Sequence, residues 1–137
     1  MADSLRSQVW RRARGCCEYC RVPQRGTILP HEIDHIRSQK HNGATTFENL
    51  CLACSLCNAH KGPNVAGYDP DTDALVRLFN PRTDEWDEHF RWNGATLMGR
   101  TAIGRATVVV LGINSEERIQ HRRLLVEAGV FSEPGER

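Results

Sequence analysis

Glu32-Ile33-Asp34-His35-Ile36 sets an acid beside a histidine between two isoleucines, and Cys54-Ser55-Leu56-Cys57-Asn58-Ala59-His60-Lys61-Gly62 begins 18 residues after Ile36. The isoleucines favour a short extended segment. The Cys-x-x-Cys pair that runs straight into an asparagine reads as the second half of a site. An earlier pair, Cys17-Glu18-Tyr19-Cys20, precedes both. Cys17, Cys20, Cys54 and Cys57 are four soft ligands, the set for a tetrahedral, closed, structural Zn²⁺. Because 33 residues separate the pairs, the interval must itself fold, and the metal ties its ends together. Cys16 and Cys51 have no matched partners and read as buried small hydrophobes or free thiols.

Working outward, residues 32–37 read as a strand, His41–Thr46 as a polar turn, and residues 47–51 as the returning strand or its approach. Residues 54–61 fit the start of a helix that Gly62-Pro63 stops. This is a ββα module pinned by zinc, in an α+β protein. Ahead of it, Ser4 caps a helix over residues 5–14 with Leu5, Val9 and Ala13 on one face, and Gly15 ends it. The arginines of that helix read either as a solvated outer side or as a phosphate-contacting flank. Behind the module, residues 74–79 read as a strand and Asn93-Gly94 as a hairpin turn. Trp86, Phe90 and Trp92 are the large apolar anchors there. A helix from Thr101 to about Leu111 and a Ser115-capped helix over residues 116–128, closed by Gly129, complete the chain. The expected division is a module at 1–66 and an α+β extension of a hairpin and two helices at 67–137, packed as one unit. Residues 1–3 and 132–137 are expected to fray.

Composition allows only a modest core, with 39% hydrophobic and 7% aromatic residues. No apolar run approaches the ~18–20 residues of a membrane helix, and the N-terminus lacks a basic-then-apolar signal pattern. The expectation is a cytoplasmic protein with no membrane partner, in which cysteine pairs hold metal in preference to forming disulfides. The net charge of +1 hides a division: +4 over residues 1–62, −5 over 69–88 and +4 over 91–123. Sixteen of the 18 cations are arginine, which suits phosphate recognition. The acidic segment is excluded from any polyanion-binding face. Arg100, Arg105, Arg118, Arg122 and Arg123 read either as parts of covering helices or as a second phosphate-binding face.

Taken together, Cys17-Glu18-Tyr19-Cys20, Asp34-His35-Ile36, Asn49-Leu50 and Cys54 through Lys61 resemble the HNH (ββα-metal) endonuclease family, with a treble-clef-like core. The Asp69-Pro70 turn, Leu78-Phe79-Asn80-Pro81-Arg82, Trp86-Asp87-Glu88-His89-Phe90 and Gly104-Arg105-Ala106-Thr107 resemble the segments C-terminal to the motif in small stand-alone bacterial members. The resemblance implies a hydrolase that cuts DNA, with RNA not excluded, to leave 5′-phosphate and 3′-hydroxyl ends. By that resemblance His35 is the general base, a task suited to an imidazole neutral near pH 7, and Asn49 positions it. Asp34 and Asn58 match the ligands of a catalytic ion; their hard oxygens favour Mg²⁺ or Mn²⁺. Adjacent strand residues face opposite ways, so Asp34 and His35 serve one cleft only across a bulge or turn or from different ends. Arg37 and Lys61 are expected on non-scissile phosphates. His60 lies about 200° around the helix from Asn58 at ~100° per residue, and so reads as a surface or phosphate-contacting residue in preference to a ligand, with a place in the metal site left open. A zinc-stabilised DNA-binding module without catalysis is the rival, disfavoured because a pure binder needs neither Asp34 nor His35. A monomer and a homodimer are equally compatible with the sequence.

Overall fold

The computed structural model describes residues 4–131, so the expected fraying of 1–3 and 132–137 lies outside the described residues. Helix α1 spans Leu5–Ala13. The Ser4 side chain accepts from the Ser7 amide, and the chain leaves the helix through left-handed Arg14 (φ 55°) and Gly15 (φ 71°). Its buried Val9 packs with Leu50 and Leu52, and Leu5 and Ala13 join from the same side. Arg6 and Arg11 are exposed, whereas Arg12 turns inward, donating to the carbonyls of Phe47 and Leu50 and lying 3.8 Å over the Phe47 ring. That arginine is structural.

Strands β1 (Glu32–His35) and β2 (Leu50–Ala53) pair antiparallel, with Asp34 opposite Cys51 and His35 opposite Leu50. β1 is two residues shorter than expected. The Arg37 amide is taken by the Asn49 side chain (3.0 Å) in place of a ladder carbonyl, so pairing stops. Phe47–Asn49 forms a 3-10 turn, and the returning strand starts only at Leu50. Helix α2 (Ser55–Lys61) begins at once, N-capped by Cys54 and ended by Gly62 at φ 49°. The ββα module is therefore present.

The second half contains a hairpin the sequence did not announce. Strands β3 (Ala66–Tyr68) and β4 (Leu75–Arg77) pair antiparallel, and only β4 was expected. Asp69, fully buried between them, accepts two bonds of 2.8 Å from Arg105, one from the Asp71 amide and one from the Thr72 hydroxyl. A one-turn helix α3 (Trp86–His89) leads into strands β5 (Phe90–Asn93) and β6 (Thr96–Gly99), joined by a two-residue loop that opens with Gly94 at φ 60°. Helices α4 (Ala102–Val110) and α5 (Glu116–Glu127) are capped by Thr101 and Ser115 as their hydroxyls imply. The protein is α+β, with small two-stranded sheets and helices around one main core. No helix among the described residues is long and apolar enough to cross a membrane.

That core draws on both halves: Cys17, Tyr19, Cys54 and Cys57 share it with Phe79, Trp86, Phe90, Leu97 and Ile113. The Trp86 indole donates to the Tyr19 carbonyl (2.9 Å), and Arg82 pairs with Glu18. Of the five arginines weighed for a second phosphate-binding face on the extension, three are occupied within the protein: Arg118 and Arg122 are 6% and 1% exposed, and Arg105 is engaged by Asp69 and Asp71, whereas Arg100 and Arg123 are exposed. α4 approaches α3 so closely at Gly104 that a Cβ there would lie 2.0 Å from the His89 carbonyl oxygen. Gly104→Ala is expected to cost about 1–3 kcal/mol by overpacking, read as a lower denaturant midpoint. A wild-type midpoint would contradict this packing.

Candidate active site and metal centre

The two Cys-x-x-Cys turns meet. The Sγ atoms of Cys17, Cys20, Cys54 and Cys57 all lie within 4.8 Å of one another, and all four residues are buried. Cys20 Sγ and Cys54 Sγ are 3.8 Å apart, about the edge of a tetrahedron whose metal–sulfur bonds are ~2.3 Å. The amides of Cys20 and Cys57 point at Cys17 Sγ and Cys54 Sγ, each at 3.4 Å, as a knuckle requires. The cluster is positioned to bind a metal. Cys51 stays outside it, bonded to Tyr19 and Asp34, and burial pushes its thiol above the ordinary range. Cys16 is half-buried.

Arg118 reaches the cluster from α5. Its Nη2 lies 3.0 Å from Cys57 Sγ and 3.8 Å from Cys54 Sγ, and its Nη1 donates to the Leu111 carbonyl at 2.7 Å. Burial works against the charge, but the sulfurs of Cys57 and Cys20 beside it outweigh burial and hold the guanidinium above its ordinary value. Nothing in the motif spacing points to Arg118, since it lies 61 residues beyond Cys57.

Asp34 and His35 face opposite sides of β1. Asp34 is 5% exposed; its carboxylate accepts from the Tyr19 hydroxyl (2.9 Å) and lies 3.2 Å from the Lys61 ammonium. Burial pushes this carboxyl above its ordinary value, against the pull of Lys61 and Tyr19. Lys61 is itself 1% exposed and also donates to the His35 carbonyl (3.0 Å). Its expected contact with phosphate is not available in this arrangement, because the ammonium is turned inward on Asp34. A buried carboxylate calls for a cation, and Lys61, one helical turn past Asn58 on α2, supplies it.

His35 is half-exposed at the end of β1, its Nε2 2.9 Å from the Thr45 hydroxyl. Asn49 ties the intervening loop to the strand. Its Oδ1 accepts from the Arg37 amide, and its Nδ2 donates to the carbonyls of Arg37 (2.9 Å) and Ala44 (2.8 Å). Asn58 is half-exposed on α2, and its amide donates to Glu32. Asp34 and Asn58 thus meet different partners here, Lys61 and Glu32. Glu32, two residues before Asp34 and so on the same face of β1, adds a hard oxygen beside Asn58 that the motif spacing does not mark. Tyr19 is likewise a site residue at which only its place between Cys17 and Cys20 hints. Carboxylate and amide oxygens from Glu32, Asp34 and Asn58 are the donor chemistry a small divalent cation takes. Arg37 and His60 are exposed; the Arg37 Nε donates to the His41 carbonyl (2.7 Å). Of the flanking histidines, His31 is buried, with Nε2 2.9 Å from the Val22 carbonyl, and is structural.

The Asp34–Lys61 pair carries a prediction of its own. Lys61→Met leaves a buried carboxylate without its cation, and is expected to cost about 3–5 kcal/mol of stability. With the ammonium gone, only burial and weaker hydrogen bonds act, so the Asp34 value rises further. A raised carboxyl favours the fold below its unfolded value and loses that contribution as pH rises through the folded one, so the deficit deepens with pH. Denaturant titrations over a pH series test both parts; an unchanged midpoint would mean that the pair does not form.

Residues 17–64 match the family described as HNH endonuclease, which bears out over that segment the resemblance carried by the motifs. Over 112 residues the chain is 27% identical to the Septu protein PtuB of Bacillus thuringiensis. The match takes in 80% of this chain and 40% of that relative, so the chain spans well under half of the relative's length. No solved structure matches the chain.

Proposed function

We propose that the protein is a metal-dependent endonuclease that hydrolyses phosphodiester bonds in DNA, leaving 5′-phosphate and 3′-hydroxyl ends. The observation that supports this best is His35 itself: a half-exposed imidazole, oriented by Thr45, within the segment that matches the HNH family. With Nε2–H donating to the Thr45 hydroxyl, the Nδ1 lone pair takes the proton of the attacking water. Asn49 keeps the loop in register with β1 and so keeps His35 in place. Asp34 and Asn58, with Glu32 beside them, hold Mg²⁺ or Mn²⁺, for which Asp34 must exchange its contact with Lys61; Asp34 and His35, on opposite sides of β1, then serve the phosphate from different ends of the cleft. When bound, that ion supplies charge stabilisation to the phosphate in flight and to the departing oxygen. Cys17, Cys20, Cys54 and Cys57 hold a structural Zn²⁺. Arg37 and His60, both exposed, contact phosphates outside the scissile one. Residues 1–66 form the nuclease module, and residues 67–137 form an extension that covers it.

A supercoiled plasmid with Mg²⁺ or Mn²⁺ tests the reading, with His35→Ala and Asn58→Ala compared against wild type. Nicking by wild type alone is the expected result. Equal nicking by His35→Ala would sink the site, binding without nicking would favour a non-catalytic DNA-binding module, and cleavage confined to RNA would move the substrate.

A further inference from the structure

We propose that Arg118 is the charge partner of the four-cysteine metal site, so that metal loading and the seating of helix α5 favour one another. The inference rests on the reading of Cys17, Cys20, Cys54 and Cys57 as metal ligands. A buried cation needs an anion, and a guanidinium that is 6% exposed has left most of its hydration behind. The polar atoms it meets are the Leu111 carbonyl and the sulfurs of Cys57 and Cys54, at 2.7, 3.0 and 3.8 Å. A carbonyl carries no net charge, so compensation must come from the sulfurs. Four neutral thiols would leave Arg118 unpaired. Four thiolates around a divalent ion carry a net charge of about −2 and supply the missing anion.

Arg118 belongs to the first turn of α5, where its own amide bonds the Ser115 cap. The side chain therefore links a helix at the far end of the sequence to a site completed at Cys57. Because coupling of two binding events is reciprocal, a seated α5 tightens metal binding and a bound metal holds α5 down. The N–H···S bond also draws charge from the Cys57 thiolate, which lowers its nucleophilicity towards electrophiles. Cys20, Cys54 and Arg118 share the wall of an open cavity of about 580 Å³, which gives a chelator a route to the sulfurs.

Metal release from the purified full chain to a chromophoric chelator tests this, with Arg118→Gln and Arg118→Lys compared against wild type. Removal of an outer partner of a metal ligand lowers metal affinity by about 10–100-fold. Arg118→Gln, which is neutral, is therefore expected to release metal at least about tenfold faster, and Arg118→Lys, which keeps the charge, to fall between it and wild type. A merely structural role predicts that Gln and Lys, both shorter than arginine, behave alike, and that outcome overturns the proposal. So does release from Arg118→Gln at the wild-type rate. If Arg118→Gln does not fold, Arg118→Lys decides: metal retention nearer wild type supports the charge role, and tenfold faster release overturns it. Hydrogen exchange across residues 116–127 of the metal-loaded proteins is the second readout: faster exchange in Arg118→Gln than in wild type is expected, and equal protection would overturn the seating of α5 by this contact. Wild-type protein that purifies without metal and takes up none when supplied would instead refute the cysteine site, a result distinct from any of these.

Discussion

Withdrawal of metal from the four-cysteine cluster is expected to unfold the protein cooperatively. The cluster is no appendage: its four buried cysteines share one apolar core with Phe79, Trp86 and Phe90 of the second half. They also close both ends of the β1–β2–α2 unit, one pair ahead of β1 and the other at the start of α2. Structural zinc in small domains contributes about 10–16 kcal/mol of apparent binding energy near pH 7. A domain's whole net stability is only about 5–15 kcal/mol, so loss of the ion exceeds what the remaining contacts supply. Chelator titration followed by far-UV circular dichroism should show helix and strand signal lost in step with one equivalent of metal. Cys17→Ser, which removes a single ligand, should lower the thermal midpoint sharply and reduce the metal content. A chelated, metal-free protein with an unchanged midpoint would refute a structural role for the cluster.

Exchange of His35 for alanine is expected to lower plasmid nicking by about 10²–10⁴-fold, the usual worth of a positioned general base, with little change in stability. The imidazole is half-exposed and its side-chain bond runs to Thr45, a loop hydroxyl, so its loss leaves no buried group unpaired. The contrast with Asp34 is instructive. Asp34→Ala removes a candidate ion ligand and also strands the buried Lys61 ammonium, so a fall in its activity mixes chemistry with folding. His35→Ala and Asn58→Ala, both at half-exposed positions, separate the two. Equal metal content and an unchanged denaturant midpoint in His35→Ala would place its defect in the chemical step, whereas a coincident loss of stability would undo that assignment.

Most of the ββα unit was legible because its signals are local. Ser4, Cys54, Thr101 and Ser115 cap helices through bonds that span three residues. Glycines at positive φ end α1 and α2 where the spacing implied. The cysteine pairs could be read as one cluster because only a shared metal gives two such knuckles a common purpose. β3 could not be read: Ala66-Gly67-Tyr68 carries no alternation, and it becomes a strand because β4 lies beside it and Gly67 leaves room for Val110 of α4.

The sequence by itself determined the ββα module and the cysteine cluster, since those depend on spacing along a strand or a helix turn. Tertiary structure alone decided which charges are at work inside the protein. Lys61 and Arg118 look in the sequence like the other basic side chains offered to a phosphate, yet one is buried on Asp34 and the other on Cys57. The reason is electrostatic: the cost of burying a charge is set by what stands opposite it, and Lys61 and Arg118 meet partners 27 and 61 residues away.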